Sequence, residues 1–290
     1  MNISPSLRTF VLATGAAVAL IAGTSPLTAA DAPKPLRVLL LTGGCCHDYP
    51  AQKDILKKGL EARANVVVDQ IHSDDGSTKP PLAILGNPEY AKGYDLVIHD
   101  ECGADINDPA TVLGVLKPHR DGIPGVNLHC AMHCYRIGNP GDPVTLGTPH
   151  GYWFEYLGLQ SSGHGPQLPI AINFTNQASP IAKGLSNWTT INEEHYNNIR
   201  VFDTARPIAD GVQVILSRDR KPVRTNDFVV AWANEYGAKK TKVFSTTIGH
   251  NNATVSDPRY LDLVTHGVLW ATGHLQDDGT PAPGYGPGGK

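Results

Sequence analysis

The strongest constraint on this chain is a series of short β-branched apolar runs that alternate with stretches of helical periodicity. Arg37 to Gly44, RVLLLTGG, is an apolar run closing on paired glycines, the pattern of a buried strand that stops at a tight turn. Ile55, Leu56, Leu60 and Ala64 follow at helical spacing, and Val66 to His72, VVVDQIH, returns to β-branched residues. Tyr94 to Glu101 (YDLVIHDE) and Ile123 to Cys130 (IPGVNLHC) repeat the strand pattern, with Ala110 to Leu116 as the helix between them. A chain written this way builds βαβ units, so the expected fold is α/β with a mostly parallel sheet.

Downstream, Gly138 to His150 is dense in Gly and Pro and reads as a loop. The following YWFEYLG reads as a short helix with packed aromatics that is placed to act as a lid. QLPIAIN, VQVILS, FVVAWANEYG and KVFSTTIGH read as further strands, with Gly237 and Ala238 marking a hairpin before the last. Residues 258–272 close the domain as a helix opened by Pro258, and the tail over residues 275–290 has little to bury and reads as disordered.

Residues 1–30 read as a secretion signal: Arg8 precedes the apolar run Val11 to Ala22, and Thr28, Ala29 and Ala30 are small residues suited to cleavage. The run is short for a membrane span, and a periplasmic or extracellular location without stable membrane insertion is expected. A formal net charge of −3 with no basic cluster beyond Lys239, Lys240 and Lys242 leaves no footprint for nucleic acid, so a small, weakly charged partner is expected. Five cysteines, 45, 46, 102, 130 and 134, can form one or two disulfides in an oxidising compartment or act as thiolate ligands. Adjacency argues against a bond between Cys45 and Cys46.

In a doubly wound sheet the ligand crevice lies at the carboxyl ends of the strands. Those ends carry Cys45, Cys46, His47 and Asp48 after the first strand, His99 to Cys102 after the third, and His129, Cys130, His133 and Cys134 after the fourth. In the common order 2-1-3-4-5 these strands are neighbours, so imidazoles, thiols and carboxylates line one crevice. Each histidine alone reads equally well as a cap or a satisfied core residue. HCAMHC places His129 and His133 at i and i+4, a spacing that puts two imidazoles on one divalent metal if the segment starts a helix. Further on, GHG (Gly163 to Gly165), NEEHYN (Asn192 to Asn197) and TTIGHNN (Thr246 to Asn252) set His164, Glu193, Glu194, Tyr196, His250 and Asn251 beside turn-forming residues.

The order of motifs LLLTGGCCHDY, GVNLHCAMH, YWFEYLG, GHG, NEEHYN, AWANEYG, FSTTIGHNN and GVLWATG, spanning residues 36–274, resembles the ThuA-like (trehalose utilisation) family. The resemblance implies a fold similar to class I glutamine amidotransferases, a flavodoxin-like sheet with helices on both faces and added C-terminal strands. It also implies a role in disaccharide use, beside oxidoreductases that make 3-keto sugars. Where amidotransferases carry a nucleophilic Cys between glycines, the matching stretch here is NLHCA, Asn127 to Ala131. His129 takes the nucleophile position and Cys130 lies one residue later.

Cleavage of a 3-keto-glycoside by acid–base chemistry, metal-assisted or not, is therefore the leading expectation. Glu194 or His164 is cast as base, His129 and His250 as electrophilic or positioning groups, and His47, Asp48, Tyr196 and Asn251 as sugar contacts. Two alternatives stand beside it. One is a non-catalytic carbohydrate- or partner-binding module in which Trp153, Trp188 and Trp232 stack on sugar faces. The other is a Cys-dependent hydrolase using Cys130.

Overall fold

The computed structural model describes residues 1–2 and 33–289. The elements named below all lie in the compact unit Ala32–Lys290. From residue 3 to its end the expected secretion signal lies outside the described residues. Among the described residues no helix is long and apolar enough to cross a membrane.

The opening is βαβ as the residue pattern requires: β1 (Leu36–Gly44), α1 (Tyr49–Glu61), β2 (Val66–Ser73), β3 (Leu96–Cys102), α2 (Pro109–Arg120) and β4 (Gly125–Leu128). Both helices start where an Asp side chain accepts a backbone N–H and a proline sits in the first turn: Asp48 with Pro50, and Asp108 with Pro109. There follow α3 (Tyr152–Leu157), β5 (Leu159–Gln160), β6 (Leu168–Phe174), β7 (Trp188–Glu193), β8 (Arg200–Val201), β9 (Ala205–Leu216), β10 (Pro222–Tyr236), β11 (Thr241–Thr246), α4 (Asn252–Val255) and α5 (Pro258–Ala271).

Nine strands form one sheet in the order β2-β1-β3-β4-β11-β10-β9-β6-β7, and β5 pairs with β8 apart from it. The five strands β2, β1, β3, β4 and β11 run parallel, which is the 2-1-3-4-5 arrangement. From β11 outward the pairing turns antiparallel through β10, β9, β6 and β7, starting with the hairpin at Gly237. Alternate residues of β1 serve opposite faces. Val38 and Leu40 pack with Leu56 and Leu60 of α1 and Val264 and Val268 of α5, whereas Leu39 and Leu41 pack with Val112 and Leu116 of α2 and Trp153 of α3. Helices thus cover both faces of the parallel half, and each buried Leu or Val contributes about 1.5–3 kcal/mol.

Two expectations are corrected. Helix α3 is not a lid: Trp153, Phe154, Tyr156 and Leu157 are buried, and the helix packs on α2, β10 and β11. The tail is not free either. The Asn65 N–H donates to the Tyr285 carbonyl at 3.0 Å, the Asn65 side chain donates to Gly284 at 2.9 Å, and the Tyr285 ring lies 3.7 Å from that of His274. Tyr285 does have an apolar surface to cover, formed by parts of the chain far away in sequence.

Candidate functional site

The carboxyl ends of β1, β3, β4 and β11 converge, and glycine permits that convergence. Gly43 and Gly44 adopt φ of +128° and +103°, and a side chain on either would strike the Ser73 or Cys102 carbonyl of the flanking strands. The chain then turns through Cys45 and Cys46, which are joined in a disulfide, contrary to the expectation from adjacency; Cys46 accommodates it with φ +83°. Cys102, Cys130 and Cys134 are free and buried.

His129 follows directly on β4, buried, with φ +42°. A bulky residue in the left-handed region is strained and marks a position the surroundings hold fixed. The turn that ends β4 thus presents an imidazole to the crevice. Nδ1 of His129 lies 2.7 Å from the Thr247 carbonyl, so it carries the hydrogen and donates. Nε2 is left with a free lone pair and no hydrogen-bond partner, 3.4 Å from Oε2 of Glu194.

Two further imidazoles close on the same carboxylate. His250 follows β11, with its Nδ1 3.4 Å from Oε1 of Glu194. Its loop is clamped by Glu193 at the end of β7, which accepts the backbone N–H groups of Gly249 at 3.3 Å and His250 at 3.0 Å. His47 donates from Nδ1 to the His250 carbonyl at 3.0 Å, again leaving Nε2 free. Its ring stands 4.6 Å from that of His129 and 4.9 Å from that of His250. One side-chain N or O atom from each of His47, His129, Glu194 and His250 lies within 4.8 Å of the others.

The charges are set by this crowding. Burial opposes ionisation of Glu194, but its contact with His129 and the fields of His129, His164 and His250 hold its carboxyl down at about 2. Burial lowers His129, yet the Glu194 contact, the Glu193 charge and the Thr247 carbonyl outweigh it and leave the imidazole raised. His47 is pushed down to about 3 by burial and then by His129, and burial lowers His250 as well.

The other expected residues are placed as follows. His164 donates from Nδ1 to the Gly165 carbonyl at 2.9 Å and points Nε2 to within 3.5 Å of Glu194 Oε2, with 38% of its side chain exposed. Tyr196 is buried, its ring stacked at 4.2 Å on His133 and at 5.4 Å on His164, so it packs the imidazoles rather than facing solvent. His133 stands apart from the four-residue cluster, its Nε2 3.1 Å from the Ser161 hydroxyl. The segment His129–His133 is a 3₁₀ turn, in which i and i+4 do not share a face, so the α-helical spacing expected for this pair is not formed.

Asp48 caps α1 and accepts from Asn252 at 2.6 Å, while Asn251 caps α4. Both border an open cleft of about 690 Å³, together with Cys46, His47, His250 and Asn252. Its size is that of an ordinary small-ligand pocket. Trp153, Trp188 and Trp232 are buried and offer no sugar platform. Sequence reasoning missed three supports: the clamp by Glu193, the Thr247 carbonyl, and Gln167, which donates to Glu194 Oε1 at 3.2 Å. Glu193 was visible beside Glu194, but its role depends on β7 lying against the β11 loop.

A family model described as trehalose utilisation, ThuA, matches residues 37–271. No curated protein matches. Among solved structures, a protein described as ThuA-like from Parabacteroides merdae is 19% identical with a TM-score of 0.59, covering 82% of this chain and 90% of its own. One from Bacteroides uniformis, also described as ThuA-like, is 17% identical with a TM-score of 0.56 over 84% and 94%. A glutamine amidotransferase from Thermotoga maritima is matched at 12% identity and a TM-score of 0.43 over 82% and 98%. With the family match spanning most of its length, the chain belongs to the ThuA family, and so to a group with a broad role in trehalose utilisation.

Proposed function

We propose that this protein is exported and cleaves a 3-keto-glycoside by acid–base chemistry at the His47, His129, Glu194 and His250 cluster. The observation that carries the reading is the convergence of three imidazoles on one buried carboxylate beside an open cleft at the strand ends. A 3-keto group acidifies the C2 hydrogen. A base removes that proton, the electron pair moves to the ketone oxygen as an enolate, and its return forms the C1–C2 double bond and expels the glycosidic oxygen, which takes up a proton. His164 suits the base, because its Nδ1 is occupied by Gly165 and its Nε2 is free and half exposed. Glu194 is engaged on both oxygens and serves better to orient the imidazoles. His129 and His250 face the developing oxyanion, and His47 with Asp48 meets the sugar at the cleft.

A pure binding module has no need of this arrangement. Cys130 as nucleophile is disfavoured because its hydrogen bond with Cys102 and its burial raise its thiol well above the ordinary range. Export is supported by the pattern of residues 1–30 and by the Cys45–Cys46 disulfide, which suits an oxidising compartment. The test is turnover of a 3-keto-glycoside by His129→Ala and Glu194→Ala. A fall of about 10²-fold or more is expected, and unchanged turnover in both overturns the assignment.

A further inference from the structure

We infer that His47, His129, Glu194 and His250 together hold one divalent transition-metal ion of the zinc class. The inference concerns the site of the proposed function but does not depend on the substrate.

Three independent features point the same way. First, the donor set is three imidazoles and one carboxylate, which is typical zinc-binding chemistry, with each residue's ligand atom within 4.8 Å of the rest. Second, the separations have the right length. Nε2 of His129 lies 3.4 Å from Oε2 of Glu194, and Nδ1 of His250 lies 3.4 Å from its Oε1, so each imidazole meets its own carboxylate oxygen. That is long for a hydrogen bond between such groups, but each matches the separation of two donor atoms on one metal with bonds of about 2.0–2.2 Å, roughly 3.3–3.6 Å. Third, the outer contacts fix the tautomers. His129 gives its Nδ1 hydrogen to the Thr247 carbonyl and His47 gives its own to the His250 carbonyl, so both Nε2 lone pairs face inward. Ligating histidines are characteristically held in this way by a carbonyl on the far nitrogen.

The buried Nε2 of His129 and Nδ1 of His250 have no hydrogen-bond partner among the described residues, a costly state that a cation relieves. Glu193 and Gln167 complete the outer layer by clamping the His250 backbone and the Glu194 carboxylate. The other group with metal-ligand spacing, Cys45, Cys46 and Cys102, has two of its three sulfurs tied up in the Cys45–Cys46 disulfide, so it does not compete. His133, bonded to Ser161, lies outside the set.

The test is metal analysis of the full chain purified without chelator, followed by removal of metal and titration with Co²⁺ as a spectroscopic probe. The expected result is about one equivalent of metal per chain, and intense visible absorption from tetrahedral Co²⁺ that Zn²⁺ displaces. His129→Gln and Glu194→Gln are expected to lose that absorption while circular dichroism stays native, and His133→Gln to keep it. Glu193→Gln should weaken binding about 10–100-fold. A folded wild-type chain that binds neither ion, or a signal retained in both ligand variants, overturns the inference. Metal bound by a chain that leaves 3-keto-glycosides intact refutes the substrate reading alone, and turnover by a chain that binds no metal refutes this one alone.

Discussion

His129 donates from Nδ1 to the Thr247 carbonyl at 2.7 Å, and that bond aims its Nε2 at the centre of the site. Because His129 is the first residue after β4 and Thr247 the first after β11, the register of two adjacent parallel strands, Leu128 opposite Thr246, sets the direction of a reactive nitrogen. Sheet topology thus becomes site chemistry through one backbone carbonyl.

Removing the proposed base should separate rate from binding. His164→Ala is expected to lower kcat for a 3-keto-glycoside by about 10²–10⁴-fold while KM moves little, since the proposed sugar contacts are His47 and Asp48. Steady-state kinetics of the variant against wild type measures this. A change confined to KM assigns His164 to binding instead.

Gly44→Ala is expected to destabilise the fold by about 1–3 kcal/mol. Its φ of +103° and the Cys102 carbonyl, which a Cβ at this position would strike, leave no room for a side chain. Urea denaturation should show the loss, whereas Gly76→Ala, with open space around it, should lie within about 0.5 kcal/mol of wild type.

Buried His119 makes stability depend on pH. Burial and the neighbouring His99 push it down to about 3, while its unfolded value is about 6.5. Below pH 6.5 the unfolded chain takes up a proton that the folded chain refuses, so this contribution to stability is complete above 6.5 and is lost as pH falls toward 3. The slope from this group reaches at most about 1.4 kcal/mol per pH unit. Unfolding free energies of wild type and His119→Gln across pH 4–7 should therefore converge toward acid. Parallel curves would contradict the assignment.

The cysteines give a count. Thiol titration of the denatured, unreduced chain should find three free thiols, from Cys102, Cys130 and Cys134, and five after reduction. Peptide mapping should return the bond within the fragment that carries both Cys45 and Cys46. A bond from either to Cys102, whose sulfur lies 3.4 Å from that of Cys45, would contradict the pairing.

Much of this was legible in the residue pattern, and the failures have physical causes. β-branched runs located β1 to β4, and helical stretches between them and the opening at Pro258 located α1, α2 and α5, because local propensity and tertiary packing agree there. The convergence of His47, His129 and His250 was legible because they stand directly after strands of a parallel sheet. Glu194 came from a motif, since its approach depends on β7 at the far end of the antiparallel extension. The pairing of His133 with His129 is not formed because spacing alone does not separate an α-helical turn from a 3₁₀ one. The tail was misread because the groups that hold Tyr285, Asn65 and His274, are not its sequence neighbours.

The most direct test of the central claim is release of free sugar from a 3-keto-glycoside, compared with the same glycoside unoxidised, by wild type and Glu194→Gln. The account predicts release from the keto substrate only, falling by about 10²-fold or more in the variant. Equal release from both glycosides, or release that the variant leaves unchanged, would contradict it.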